Sequence, residues 1–115
     1  MKFTTALAAI GMAITVSIAP GQAEVTAKQA IDIFDGGEEI DKAYLRGMGE
    51  GIGWANTATT VAGNPALYCP PQKVEIVGEQ YAAILKDYMV RYPNLRSAPF
   101  GAVLLAALQQ AFPCK

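Results

Sequence analysis

Apolar positions along the chain repeat with the period of a helix. From Ile40 the residues Tyr44, Met48, Ile52 and Ala55 recur at spacings of four and three, the periodicity of one helix face. This predicts a helix over 38–61, with Glu38 and Glu39 suited to its positive end. A clearer amphipathic stripe follows at Val77, Tyr81, Ile84, Leu85, Tyr88 and Tyr92, with Glu79, Lys86, Asp87 and Arg91 mostly off it. A third stripe, Phe100, Val103, Leu104, Ala107, Leu108 and Ala111, runs until Pro113. Ser97 is the expected N-cap of that helix, and Pro99 is tolerated in its first turn. Ahead of all three, Thr26-Ala27-Lys28-Gln29 fits a capping box that opens a short helix over 27–35, and Gly36-Gly37 supplies its stop. The pattern is that of an all-α domain, a small bundle of about four helices.

The breaks between stripes set the connections. Ala62-Gly63-Asn64-Pro65 ends the second helix, and Tyr68-Cys69-Pro70-Pro71 makes a stiff, extended link to the third. Pro93-Asn94-Leu95-Arg96 stops the third helix within a few residues, so helices three and four should form an antiparallel hairpin. The middle of helix two is unusual. Gly47, Gly49, Gly51 and Gly53 alternate there, and each costs up to about 1 kcal/mol against alanine in a helix interior. Three readings fit: close packing of a neighbour on the face shared by Gly47 and Gly51, a kink or break, or a backbone surface for a ligand or partner.

The first 23 residues do not belong to this pattern. Lys2 precedes an apolar run over 6–19 that ends at Pro20-Gly21, and Gly21 and Ala23 occupy the −3 and −1 positions of a cleavage site. That is the form of a secretory signal. The run is shorter than the roughly 20 residues a spanning helix needs; the alternative is an uncleaved N-terminal anchor. Cleavage after Ala23 leaves one domain over 24–115, expected in the periplasm and without a membrane segment. The two cysteines, Cys69 and Cys114, are an even count in an exported chain, so a disulfide is their expected state. It would tie the open ends of the three–four hairpin, and closing so long a loop contributes roughly 4 kcal/mol in the chain-entropy account. With Lys2 removed, eight basic and ten acidic side chains remain, a net charge of −2. The basic residues are scattered from Lys28 to Lys115, which argues against a nucleic-acid partner.

Few residues are equipped for chemistry. Histidine is absent, so Ser-His and Cys-His pairs cannot be built, and most zinc sites are excluded. No catalytic residue, metal or cofactor is expected. The acids Asp32, Asp35, Glu38, Glu39 and Asp41 match neither a calcium loop nor a fixed carboxylate pair, and a solvated helix junction accounts for them. Trp54 and the tyrosines at 44, 68, 81, 88 and 92 either fill the core or line a pocket. The glycine run follows no strand, so it is not a phosphate loop.

Tyr68-Cys69-Pro70-Pro71, the amphipathic helix to Tyr92-Pro93, and Ala111-Phe112-Pro113-Cys114 together resemble the Rap1a/Tai family, as does Tyr44-Leu45-Arg46-Gly47 earlier in the chain. The likeness covers residues 42–114; Tyr92 stands where that family commonly has histidine. Members are small periplasmic immunity proteins against type VI secretion toxins. The resemblance implies a non-enzymatic helical domain, often a homodimer, that binds a secreted effector toxin such as a peptidoglycan amidase. No contact residue carries over by motif. On physical grounds the expected partner-binding surface is Arg91, Tyr92, Asn94, Leu95 and Arg96, because Arg and Tyr are enriched at hot spots; an ordinary turn is the alternative there. Competing functions are an acid-stress periplasmic chaperone of the HdeA type, which would expose apolar surface when its acids protonate, and a carrier of a small apolar ligand.

Overall fold

The computed structural model describes residues 24–115; the expected signal over 1–23 lies outside them. Four helices follow one another: α1 (Ala27–Asp35), α2 (Glu39–Val61), α3 (Gly78–Arg91) and α4 (Phe100–Ala111), with a short 3-10 helix (Pro93–Ser97) between the last two. Among the described residues there is no strand. The fold is all-α.

The ends of α1 follow from local chemistry. Thr26 Oγ1 accepts from the Gln29 amide at 3.2 Å, and Gln29 Oε1 accepts from the Thr26 amide at 2.9 Å, so the capping box satisfies two amides that the helix leaves unpaired. Beside it the Ala27 amide donates to Ala98 O at 3.0 Å and the Phe100 amide donates to Val25 O at 2.8 Å. These two bonds pin the start of α1 to the start of α4. Glycine is required at the far end of α2: Gly63 sits at φ +83°, the Asn64 amide donates to Thr59 O and the Gly63 amide to Thr60 O. This is a Schellman closure, and the left-handed position disfavours any side chain.

Two boundaries differ from expectation. Glu38 is the N-cap residue of α2, one position outside the helix. Ser97 does not cap α4; it is the last residue of the 3-10 helix, and Pro99 occupies the N-cap position. Pro93, with its fixed φ, starts the 3-10 turn, which uses up the residues that would otherwise lead into a serine cap.

The core lies where the four helices meet. Phe100, Leu45, Leu85, Leu104 and Leu108 are its largest fully buried side chains, joined by Ala27, Ala30, Ile31, Tyr68, Tyr81, Ala82, Met89, Val103 and Ala107. Helix α3 contributes Tyr81 and Leu85 from its predicted stripe, while Tyr92 at its end is exposed. Helix α2 behaves differently. Its stripe is only half engaged: Met48 and Ile52 pack partly against the core, Ile40 is 80% exposed, and the buried positions are Leu45 and Gly49.

Packing accounts for one of the alternating glycines. A methyl group at Gly49 would lie 2.5 Å from the ring of Tyr81, while nothing comes within 4 Å of the corresponding point at Gly47 or Gly51. Close packing is therefore the right kind of explanation on the wrong face, and the helix is unbroken through all four glycines, which removes the break.

The link from α2 to α3 is fastened at three places. Asn56 in α2 uses both ends of its amide: Nδ2 donates to Tyr68 O at 2.9 Å, and Oδ1 accepts from the Leu67 amide at 2.6 Å. The Cys69 amide donates to Phe112 O at 2.8 Å. The disulfide Cys69–Cys114 then closes a loop with a sequence separation of 45 and ties the open ends of the α3–α4 hairpin. Salt bridges add little; Lys86–Asp35, at 2.7 Å, joins α3 to α1 with both side chains about half exposed, a setting worth at most about 1 kcal/mol.

Gly49→Ala should lower unfolding stability by about 1–3 kcal/mol through overpacking against Tyr81. Gly53→Ala, whose new methyl would meet only the Tyr68 hydroxyl at 3.6 Å, should be neutral or stabilising by up to about 1 kcal/mol. Urea titrations of the two variants check this. Reduction of Cys69–Cys114 should remove roughly 4 kcal/mol and release amide protection in α3 and α4 first. Thermal melting followed with and without reductant tests it, and an unchanged melt contradicts the tie.

Candidate functional site

The five residues expected to meet a partner are placed by the end of α3 and the 3-10 turn, and the structure divides them. Arg91, the last residue of α3, is exposed and holds its guanidinium 3.0 Å from Asp87 Oδ2, one helical turn back. Tyr92 is 42% exposed, and its ring lies 4.7 Å from that of Tyr88 at an interplanar angle of 42°. Asn94 and Arg96 stand on the 3-10 turn in solvent. Leu95 turns inward and packs against the core, so it anchors the turn.

Arg91 belongs to a larger feature. It lines a groove of about 310 Å³ between α3 and α4, together with Ile84, Asp87, Tyr88, Ala107 and Gln110. A second groove of about 310 Å³ shares Ala83 and Ile84 with the first and continues over Val74, Ile76, Gln80 and Phe112. The two form a trough along the outer side of the hairpin, from the Arg91 end to Pro71 and Phe112 near the disulfide. Its floor is apolar. The Arg91–Asp87 pair, Tyr88 and Gln110 supply the polar groups at one end. Of the five expected residues only Arg91 lines it; Tyr92, Asn94, Leu95 and Arg96 do not.

Part of the trough was visible in the chain, since Ile84 and Tyr88 lie on the amphipathic stripe of α3. Phe112 and Val74 come from segments far apart in sequence. They meet there only because Cys69 N bonds Phe112 O and the disulfide closes beside them.

The other candidate residues fall into structural roles. Asp32 pairs with Lys28 at 2.6 Å and Asp35 with Lys86 at 2.7 Å; Glu39 and Asp41 occupy the first turn of α2. The described residues hold no group of three side chains that could ligate a metal. Tyr68 and Tyr81 are buried. Burial pushes both hydroxyls above the ordinary tyrosine value, and for Tyr81 the negative charges of Tyr68, Glu50 and Glu75 act in the same direction. Both phenols therefore hold their protons to higher pH than a free tyrosine. Tyr81 also borders an open cleft of about 420 Å³ with Glu50, Trp54 and Glu75. A base or nucleophile working near neutral pH needs its pKa brought toward the operating pH, so these shifts run the opposite way and favour packing.

No helix among the described residues is long and apolar enough to cross a membrane. No protein-family model, characterised protein or solved structure matches the chain.

The two phenols carry a sign that can be measured. Their folded-state pKa exceeds the unfolded value of 10.0, so the folded state holds its protons longer. The stabilisation is complete below pH 10 and is lost as pH rises through the folded values. Denaturation midpoints should fall with increasing pH above that point, and the double variant Tyr68→Phe, Tyr81→Phe should fall less steeply. Equal slopes would contradict the assignment.

Proposed function

We propose that the chain is a non-enzymatic periplasmic protein of the immunity type, which binds a secreted effector toxin such as a peptidoglycan amidase. The trough on the α3–α4 hairpin carries this reading. It offers a continuous apolar floor with an arginine–carboxylate pair and Tyr88 at one end, the kinds of residue that dominate protein–protein hot spots. A concave apolar surface of this length is a natural seat for a helix or extended segment of a partner.

The scaffold suits such a task. The hairpin is tied at one end by the disulfide and at the other by the Thr26–Pro99 bridge and Leu95, so little chain has to be ordered on binding. A surface already in its bound form loses less entropy on association. The Cys-Pro and Phe-Pro-Cys segments that give the chain its likeness to the Rap1a/Tai family are the same segments that close the hairpin beneath the trough, and they support the same reading.

The test is co-purification with toxins encoded beside the gene, combined with growth of cells that express the toxin in the periplasm. Protection is expected, with direct binding. Tyr88→Ala and Arg91→Glu should each weaken binding by at least about 10-fold, the loss typical of a hot-spot residue, without changing the circular dichroism spectrum. Arg96→Ala, off the trough, should change it by less than about 3-fold, within the range of peripheral contacts. Neither binding nor protection with any neighbouring toxin would reject the proposal.

A further inference from the structure

The cleft beside Tyr81 holds polar groups that the packing of the chain leaves unused. It encloses about 420 Å³ between α2, the start of α3 and the link that leads into α3, and Glu50, Trp54, Thr57, Glu75, Ile76 and Tyr81 line it. Tyr81 is only 5% exposed, yet its hydroxyl has no hydrogen-bond partner among the described residues. No side-chain oxygen or nitrogen that is sealed from solvent there lacks a partner, so the Tyr81 oxygen reaches the cleft. It is a polar tip on a buried ring, aimed into open space.

Glycine makes this arrangement possible. The missing side chain at Gly49 admits the Tyr81 ring, and one turn on, at Gly53, the Tyr68 hydroxyl lies 3.6 Å from the point where a side chain would begin. Two phenols are thus led to the same side of α2.

The charges around the cleft have one sign. Glu50 approaches from α2 and Glu75 from the link, and no basic residue is among those lining it. Burial, followed by the charges of Tyr68, Glu50 and Glu75, raises the Tyr81 hydroxyl above its ordinary value, so both carboxylates bear on the one phenol. Glu75 has no salt bridge among the described residues. Glu50 meets Arg46 only at 3.7 Å, with both side chains more than half exposed, a setting that holds neither of them firmly. The Thr57 hydroxyl is already engaged, donating to Gly53 O at 3.1 Å. Trp54 and Ile76 complete the wall.

We infer that this cleft binds an alkylammonium ion, its ammonium held by Glu50, Glu75 and the Tyr81 hydroxyl and its alkyl stem laid against Trp54 and Ile76. An ammonium brings three donors and no acceptor, the complement of a site whose free groups all accept. Trp54 adds attraction between a cation and the face of its indole ring. An anion is repelled by the same carboxylates. A calcium ion needs roughly six to eight oxygens, and the described residues hold no group of three ligating side chains. A free diamine and the side chain of a lysine both supply the required group. The cleft shares only Ile76 with the trough, so this site and the toxin-binding surface can fail separately.

Trp54 is the only tryptophan, so its emission reports on the cleft. Titration of the folded protein at constant ionic strength with cadaverine, and with Nα-acetyl-lysine amide, should give a saturable change, and the Nε-acetylated form of the second should give none. Tighter binding of cadaverine assigns the cleft to free amines; tighter binding of the lysine amide assigns it to a side chain. Glu50→Gln and Glu75→Gln, both at exposed positions, should each weaken binding at least about 10-fold, the worth of a hydrogen bond to a charged group. Tyr81→Phe, which keeps the ring on Gly49, should weaken it about 5-fold, and Trp54→Ala, followed by calorimetry, at least about 3-fold. Asp32→Asn, which removes a carboxylate from α1 with the same change in net charge, should leave the affinity unchanged. No saturable response to either amine, an equal response to calcium chloride, or affinities untouched by Glu50→Gln, Glu75→Gln and Tyr81→Phe in folded protein would overturn the inference.

Discussion

The covalent closure between Cys69 and Cys114 is the constraint on which the rest of this domain depends. Neither cysteine lies within a helix. Cys69 sits in an extended link that has no secondary structure of its own to hold it, and Cys114 lies just beyond the end of α4. What brings them together is a chain of weaker contacts: Asn56 grips the backbone at Leu67 and Tyr68, Gln109 reaches Leu67 O, and the Cys69 amide meets Phe112 O. The bond makes that arrangement permanent. A domain this small hides a modest fraction of its surface, and an enforced hairpin leaves α1 and α2 a fixed surface on which to pack.

On that surface α2 has two distinct sides. The inner one is shaped by steric fit at Gly49, where the Tyr81 ring takes the space of a side chain, and by the leucine core around Leu45. The outer one is apolar in part, with Tyr44 packed on Phe100 and Trp54 lining the cleft beside Tyr81. Such a helix contradicts the usual division into a wet and a dry face.

Local chemistry was the most legible part of the chain. The Thr26–Gln29 box, the Gly63 stop and the four helices are matters of a few neighbouring residues, and they appear where the pattern placed them. The all-α class and the Cys69–Cys114 bond were legible for similar reasons. What resisted reading was phase and competition. Gly47, Gly49, Gly51 and Gly53 are equivalent by spacing, and only the arrival of Tyr81 from another helix singles out Gly49. Ser97 has the chemistry of a cap, but Pro93 starts a 3-10 turn that absorbs it. Arg91 could be named from composition; the trough it borders could not, because its floor is assembled from residues 71–76, α3 and the end of α4.

Both surfaces, the trough and the outer side of α2, are shaped by a core with little buried polar chemistry. That core is built from aliphatic and aromatic side chains, with no buried charged group among the described residues, so the outer geometry follows from packing. The disulfide and Leu95 fix the two ends of the α3–α4 trough, and Gly49 lets α2 approach Tyr81 closely. Each surface draws its stiffness from a packing feature directly behind it. A substitution that loosens Tyr81 against Gly49 therefore acts on the outer face of α2 without touching it, whereas one at the disulfide acts first on the trough. The same core that stabilises the chain thus sets the geometry of both surfaces.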